Sequence, residues 1–203
     1  MAGEPADGAD GSHGGFAPPS VAGFDPPVAL DTLQRMITSV TKDWDPPSPR
    51  STPELVVRGR TLADVFDALN RLPEWGEGGG MLRTDRVSVG TSTSVAVAAH
   101  GNLVMRLPRW ADYAAASTAA KAEWDRMMVR LRAHEQRHLD IAIEEANNLA
   151  RDLVGHEIGD IPDMVTEANR RLHDRQEELD HDTDHGAKSG VTYGNVDLDT
   201  SIT

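Results

Sequence analysis

Residues 114–155 read AAASTAAKAEWDRMMVRLRAHEQRHLDIAIEEANNLARDLVG, and everything before the final glycine is free of proline and glycine. Alanine, glutamate, arginine and leucine dominate it, and the apolar residues recur with a period near 3.6. This pattern predicts one long helix over 114–154, with Gly155 as its C-terminal stop. Gly159 and Asp160 then lead into a second helix from about Ile161 to about Asp180, with Pro162 tolerated in its first turn. The short connection makes the two helices antiparallel neighbours.

The long helix carries His134-Glu135-Gln136-Arg137-His138. Side chains four apart share a helical face one turn up, so His134 and His138 can bind a single tetrahedral zinc ion. Zinc lowers the pKa of a water that it binds to about 7, and Glu135 stands beside the two histidines as the general base for that water. Six of the eight histidines fall between 134 and 185. Counted back along an antiparallel second helix, His138 lies opposite position 178 and His134 opposite 182. The segment there is Glu177-Glu178-Leu179-Asp180-His181-Asp182-Thr183-Asp184-His185-Gly186, rich in groups that bind metals. His185 is the expected third ligand, because its imidazole suits zinc and Gly186 lets the backbone turn. Asp182 and His181 are the alternatives, and Asp180 and Asp184 are candidates to orient the ligating imidazoles.

Residues 1–53 form a leader rich in Gly, Pro and acid, with a short amphipathic helix predicted over 31–41 from Leu33, Met36, Ile37 and Val40. The leader has neither a basic start nor an apolar stretch, so it does not read as a secretory signal. The folded domain is expected over 54–186. Residues 54–58 (ELVVR) look like a strand, and Thr61 caps a helix with Asp64 closing a capping box. Gly78, Gly79 and Gly80 are read as a break. Residues 86–89, 93–99 and 103–107 alternate like strands, with His100-Gly101-Asn102 as a hairpin turn between the last two. Residues 187–203 read as a tail.

The formal net charge of −13 argues against nucleic acid or an anionic membrane surface as partner, and no apolar run is long enough to span a bilayer. The absence of cysteine excludes disulfides, thiolate metal sites and cysteine nucleophiles. Trp110 and Trp124 are expected in the core, and Tyr193 and His173 are weighed as oxyanion donors but favoured as surface residues.

Three stretches resemble the DUF922 family of predicted secreted zinc-dependent proteases: Leu107-Pro108-Arg109-Trp110 ahead of a helix, Glu123-Trp124-Asp125 ten residues before the motif, and the run Asp180-x-x-Thr183-x-His185-Gly186. The resemblance implies an α+β domain, protease activity, and His185 as the closing histidine. The combined expectation is an α+β, zincin-like architecture: a small antiparallel sheet and one short helix, then the long active-site helix and its antiparallel partner. Its function is expected to be that of a zinc metallopeptidase acting on peptide or protein substrates. A non-catalytic structural-zinc domain, or a metal-free helical interaction module, is the rival expectation, and the oligomeric state is open.

Overall fold

The computed structural model describes residues 35–43, 55–89 and 95–203. Its elements are β1 (Ile37–Asp43), β2 (Leu55–Val57), α1 (Leu62–Leu69), β3 (Glu77–Val89), β4 (Val95–Arg106), β5 (Pro108–Trp110), α2 (Thr118–Asp152) and α3 (Ile161–Thr183), with single 3-10 turns at Tyr113–Ala115 and Ile158–Asp160. The class is α+β, as expected.

Ser117 opens α2 by accepting the Ala120 amide, and the helix then runs 35 residues without interruption, about 50 Å. That length carries it through two separate apolar clusters. Its N-terminal half packs Trp124, Met127 and Leu131 against Val57, α1 and Trp110. Its C-terminal half packs Leu139, Ala142, Ala146 and Leu149 against Ile37, Leu82, Leu103 and α3. The His134–His138 turn lies at the seam between them. Gly155 takes a φ of 87° beyond the helix end, a conformation that glycine adopts without steric cost. At the other boundary, α1 begins as the capping box predicts: Thr61 accepts the Asp64 amide, and the Asp64 carboxylate accepts the Thr61 amide.

The main sheet has the order β1-β4-β3, with β4 antiparallel to β3 and parallel to β1. A second, two-stranded parallel sheet joins β2 to β5. Three expectations need correction here. The helix predicted over 31–41 is, from Ile37 onward, strand β1, and its first residues lie outside the described region. Ile37, Thr38, Val40 and Thr41 are β-branched, and the open side of β4 offers them a ladder. Ile37 is also fixed through its main chain, donating to His156 O and accepting from Gly155 N, so β1 pins the end of α2. Secondly, His100-Gly101-Asn102 is not a turn. These residues lie inside β4 opposite Arg83, Leu82 and Met81, and the chain reverses between Val89 and Val95. Thirdly, Gly78-Gly79-Gly80 does not break the chain but runs within β3, for a reason that lies in the site.

Helices α2 and α3 pack as antiparallel neighbours, linked by Glu145. This buried carboxylate accepts from Arg175 Nη1 at 2.8 Å and Arg171 Nε at 3.2 Å. Burial alone would raise its pKa, but the hydrogen bonds from Arg175 and Arg171 win and hold it below the ordinary 4.5. Its stabilisation is therefore present in full above that ordinary value and lost as pH falls through the lower folded one. In urea unfolding at pH 7, Glu145→Gln is expected to be clearly less stable than wild type, and the gap should shrink as pH falls below about 4. A gap independent of pH would argue against the ionic link.

Candidate metal centre

His134 and His138 both face inward from α2 at the seam of the two cores, and are 4% and 7% exposed. Their Nε2 atoms lie 3.2 Å apart. The third group brought to them is Asp180, whose Oδ1 is 3.0 Å from His138 Nε2 and 3.3 Å from His134 Nε2. Among the described residues these three form one group of side chains able to hold a metal ion.

His185, the expected third ligand, stands outside that group. Its side chain is 80% exposed, with Nδ1 3.9 Å from Asp180 Oδ1. The difference has a physical cause. Helix α3 continues to Thr183 rather than stopping near Asp180, so Asp180 remains on the helix and extends the inward stripe of Ala168, Leu172 and Leu179. Asp184, His185 and Gly186 then take left-handed backbone (φ 51°, 50° and 86°), which turns the His185 side chain outward. His181 and Asp182 are exposed and pair with each other. The antiparallel count of 178–182 does include Asp180, which the sequence reading had placed as an orienting partner rather than as a donor.

The spacing fits a metal. In a tetrahedral zinc site with bonds of about 2.0 Å, neighbouring donor atoms lie about 3.3 Å apart. The three observed edges are 3.2, 3.0 and 3.3 Å. Protonation points the same way. His134 Nδ1 lies 3.1 Å from the Tyr193 carbonyl oxygen, which can only accept, so Nδ1 carries the hydrogen and Nε2 presents a lone pair. Lone pairs of an imidazole and a carboxylate then face each other across about 3 Å, an arrangement that calls for a cation. A proton on His134 Nε2 can take that place. Burial lowers the His134 pKa, but the Asp180 hydrogen bond outweighs it and the net direction is up. Burial would likewise raise Asp180, yet the hydrogen bonds from His134 and His138 hold it far below the usual carboxylate range.

Glu135 is 5% exposed and lies beneath β3. A Cβ at Gly76 would come within 2.6 Å of its Oε1, and one at Gly78 within 2.1 Å of its carbonyl oxygen. Glycine is therefore required at Gly78, where β3 crosses the motif, and a Cβ at Gly79 (φ 138°) would lie 2.8 Å from Gln176 Nε2. Burial pushes the Glu135 carboxyl up to about 7, against the opposing pull of His134 and His138 and with help from Glu74 and Asp180. A carboxyl in that range can take up and return a proton at neutral pH.

The remaining candidates fall outside the site. Trp110 and Trp124 are core residues, as expected, with rings 5.6 Å apart. His173 is exposed beside Glu177. Tyr193 contributes its main-chain carbonyl, a group that no side-chain pattern announces.

Two outcomes test the arrangement. Asp180→Asn is expected to lose stoichiometric metal after dialysis while His185→Ala keeps it, as read by mass spectrometry of the metal. The reverse result would restore His185 as the third ligand. Gly78→Ala should cost about 1–3 kcal/mol in urea unfolding, because its Cβ must displace the Glu135 backbone. An unchanged midpoint would mean that β3 does not press on the motif.

A family model described as a bacterial protein of unknown function (DUF922) matches residues 54–186. No curated protein and no solved structure matches the chain. Covering as it does β2 to β5, the motif helix and the Asp180–Gly186 run, the match shows that the chain belongs to the DUF922 family.

Proposed function

We propose that this chain is a zinc-dependent metallopeptidase. The observation that carries the reading is the triangle of donor atoms on His134, His138 and Asp180, edged as a tetrahedral face, with the unpaired carboxyl of Glu135 next to it on the same helix. Three protein donors rather than four are characteristic of catalytic zinc sites, which keep a place for water or substrate. Zinc bound there would polarise a carbonyl and acidify a water.

The residues of the chain supply the rest. Glu135 accepts the proton as water attacks an amide carbonyl, then delivers it to the leaving nitrogen. Its burial lifts its pKa to about 7, so that it exchanges a proton readily near neutral pH. His134 is held in one tautomer by the Tyr193 carbonyl, and the α2–α3 hairpin fixes Asp180 against both imidazoles. Asp180, 30% exposed, and the exposed His185 mark the side from which solvent and substrate reach the donors.

A second reading keeps a metal but not the catalysis. His185 Nδ1 is 3.9 Å from the Asp180 donor oxygen, and a swing of that exposed ring would supply a fourth ligand and close the site.

Metal content and cleavage of casein by wild type and Glu135→Gln separate the two. We expect about one zinc per chain in both proteins, and turnover at least about 100-fold lower in the variant. Equal cleavage by the two proteins would sink the peptidase reading. Bound zinc without cleavage in wild type would favour the closed structural site.

A further inference from the structure

The chain beyond Gly186 was expected to be a tail, and it lies outside the residues that the family model matches. In the structure it is laid across the motif helix. Val196 and Leu198 are buried in the cluster with Trp124 and Leu131. The Asp199 amide donates to Glu123 Oε1 at 2.8 Å, Arg126 donates to both the Asp197 carboxylate and its main-chain oxygen, and Ser117 Oγ donates to Thr203 O. The Val196 amide donates to Gly186 O at 2.8 Å, closing the segment onto the end of α3.

These anchors bring three parts of the segment against one imidazole. Gly186 lies flat on the His134 ring, since a Cβ there would be 3.4 Å from its Cγ and Nδ1 and 3.0 Å from Val196 Cγ2. The Tyr193 carbonyl accepts from His134 Nδ1. To aim that carbonyl, the chain takes left-handed backbone at Tyr193 (φ 64°) and Asn195 (φ 61°), uncommon for residues with a side chain. The turn is closed by Gly194 N to Val191 O, Asn195 N to Lys188 O and Gly190 N to Asn195 Oδ1. Cavities of about 490 and 410 Å³ flank it, so little but these bonds and the His134 contact holds the turn between its anchors.

We infer that residues 187–203 are a strap coupled to metal loading: its Tyr193 carbonyl positions His134 for the ion, and the bound ion in turn holds the strap down. The inference rests on the metal site proposed above. Its physical basis is that a carbonyl on the far nitrogen of a ligating histidine fixes both tautomer and ring orientation, and that loss of such a partner weakens metal affinity about 10- to 100-fold. Coupling between two binding equilibria is reciprocal, so whatever the strap contributes to metal affinity, the metal returns to docking of the strap. Tyr193 is thus a positioning residue, acting through its main chain.

The test uses the full chain. In Gly194→Ala the new Cβ would lie 2.2 Å from the Lys188 carbonyl oxygen, so the turn must shift, while no apolar anchor is altered. Asn195→Ala removes the Gly190 contact and is the second variant. Zinc affinity is measured by chelator competition, and thermal unfolding of the metal-free proteins checks that each is folded. In wild type, hydrogen exchange at the Gly194 and Val196 amides is followed with and without zinc. We expect zinc affinity about 10- to 100-fold weaker in both variants at nearly unchanged metal-free stability. Zinc should also slow exchange at those two amides in wild type by more than at amides of α1. Unchanged zinc affinity in folded variants would overturn the coupling, as would exchange at Gly194 and Val196 that ignores zinc; the exchange result decides the matter if a variant does not fold. Wild type that binds no zinc would remove the metal site itself, and the strap's role with it.

Discussion

Two imidazole nitrogens and a carboxylate oxygen lie 3.0–3.3 Å apart, and His134 Nε2 and Asp180 Oδ1 present lone pairs to each other, a contact that positive charge between them relieves. The fold does much to hold them there. It runs one helix through two cores so that the histidines fall at their seam, doubles back with a second helix, and closes the second helix with three left-handed residues. A proton on His134 relieves the same contact, and the Asp180 hydrogen bond shifts the His134 pKa upward against the cost of burial. Metal sites, catalytic and structural alike, assemble groups that are unfavourable together until the ion arrives.

Helix α2 buries three glutamates, and comparing them isolates the unusual one. Glu123 is answered by Arg126 and by the Asp199 amide, and Glu145 by Arg171 and Arg175. Both keep lowered pKa values against the cost of burial. Glu135 has no lysine or arginine partner among the described residues, and burial lifts its pKa instead. The chain has 20 lysines and arginines, so the absence of one here is a feature of the site and not of the composition. An arginine beside Glu135 would stabilise the carboxylate and bring its pKa down, as Arg126 and Arg175 do for Glu123 and Glu145.

What the sequence revealed of this follows the range of the interactions involved. The long helix, the capping box of α1 and the Gly155 stop depend on residues a few positions apart, and each is legible. The helical hairpin is one step further, and counting along it found the window that contains Asp180. Choosing within that window needed the end of α3 to about one turn. The Thr183 hydroxyl donates to Leu179 O and accepts from Gly186 N, so the helix holds its form three residues past the expected end and the inward position passes from His185 to Asp180. Strand β1 and the unbroken β3–β4 pair depend on partners distant in sequence. The glycines of β3 looked like a break because what they meet lies on other elements: the Glu135 backbone at Gly78 and the Gln176 side chain at Gly79.

The three stretches that carry the family resemblance can now be given physical duties. In the first, Trp110 is buried on Trp124 and donates its ring N–H to Gly59 O, tying β5 to the loop before α1. In the second, Trp124 fills the core, Asp125 accepts the Tyr113 hydroxyl and Glu123 receives the strap. The last stretch is a helix exit in which Asp180 supplies a donor atom, Thr183 ties the final turn to Gly186, and Gly186 presses its bare Cα on the His134 ring. Two of the three therefore converge on His134, one directly and one through the segment that Glu123 anchors. His185 serves that exit through its main chain, its amide donating to Asp180 O at 2.8 Å in the left-handed turn, while its exposed ring stands within 3.9 Å of the donor carboxylate.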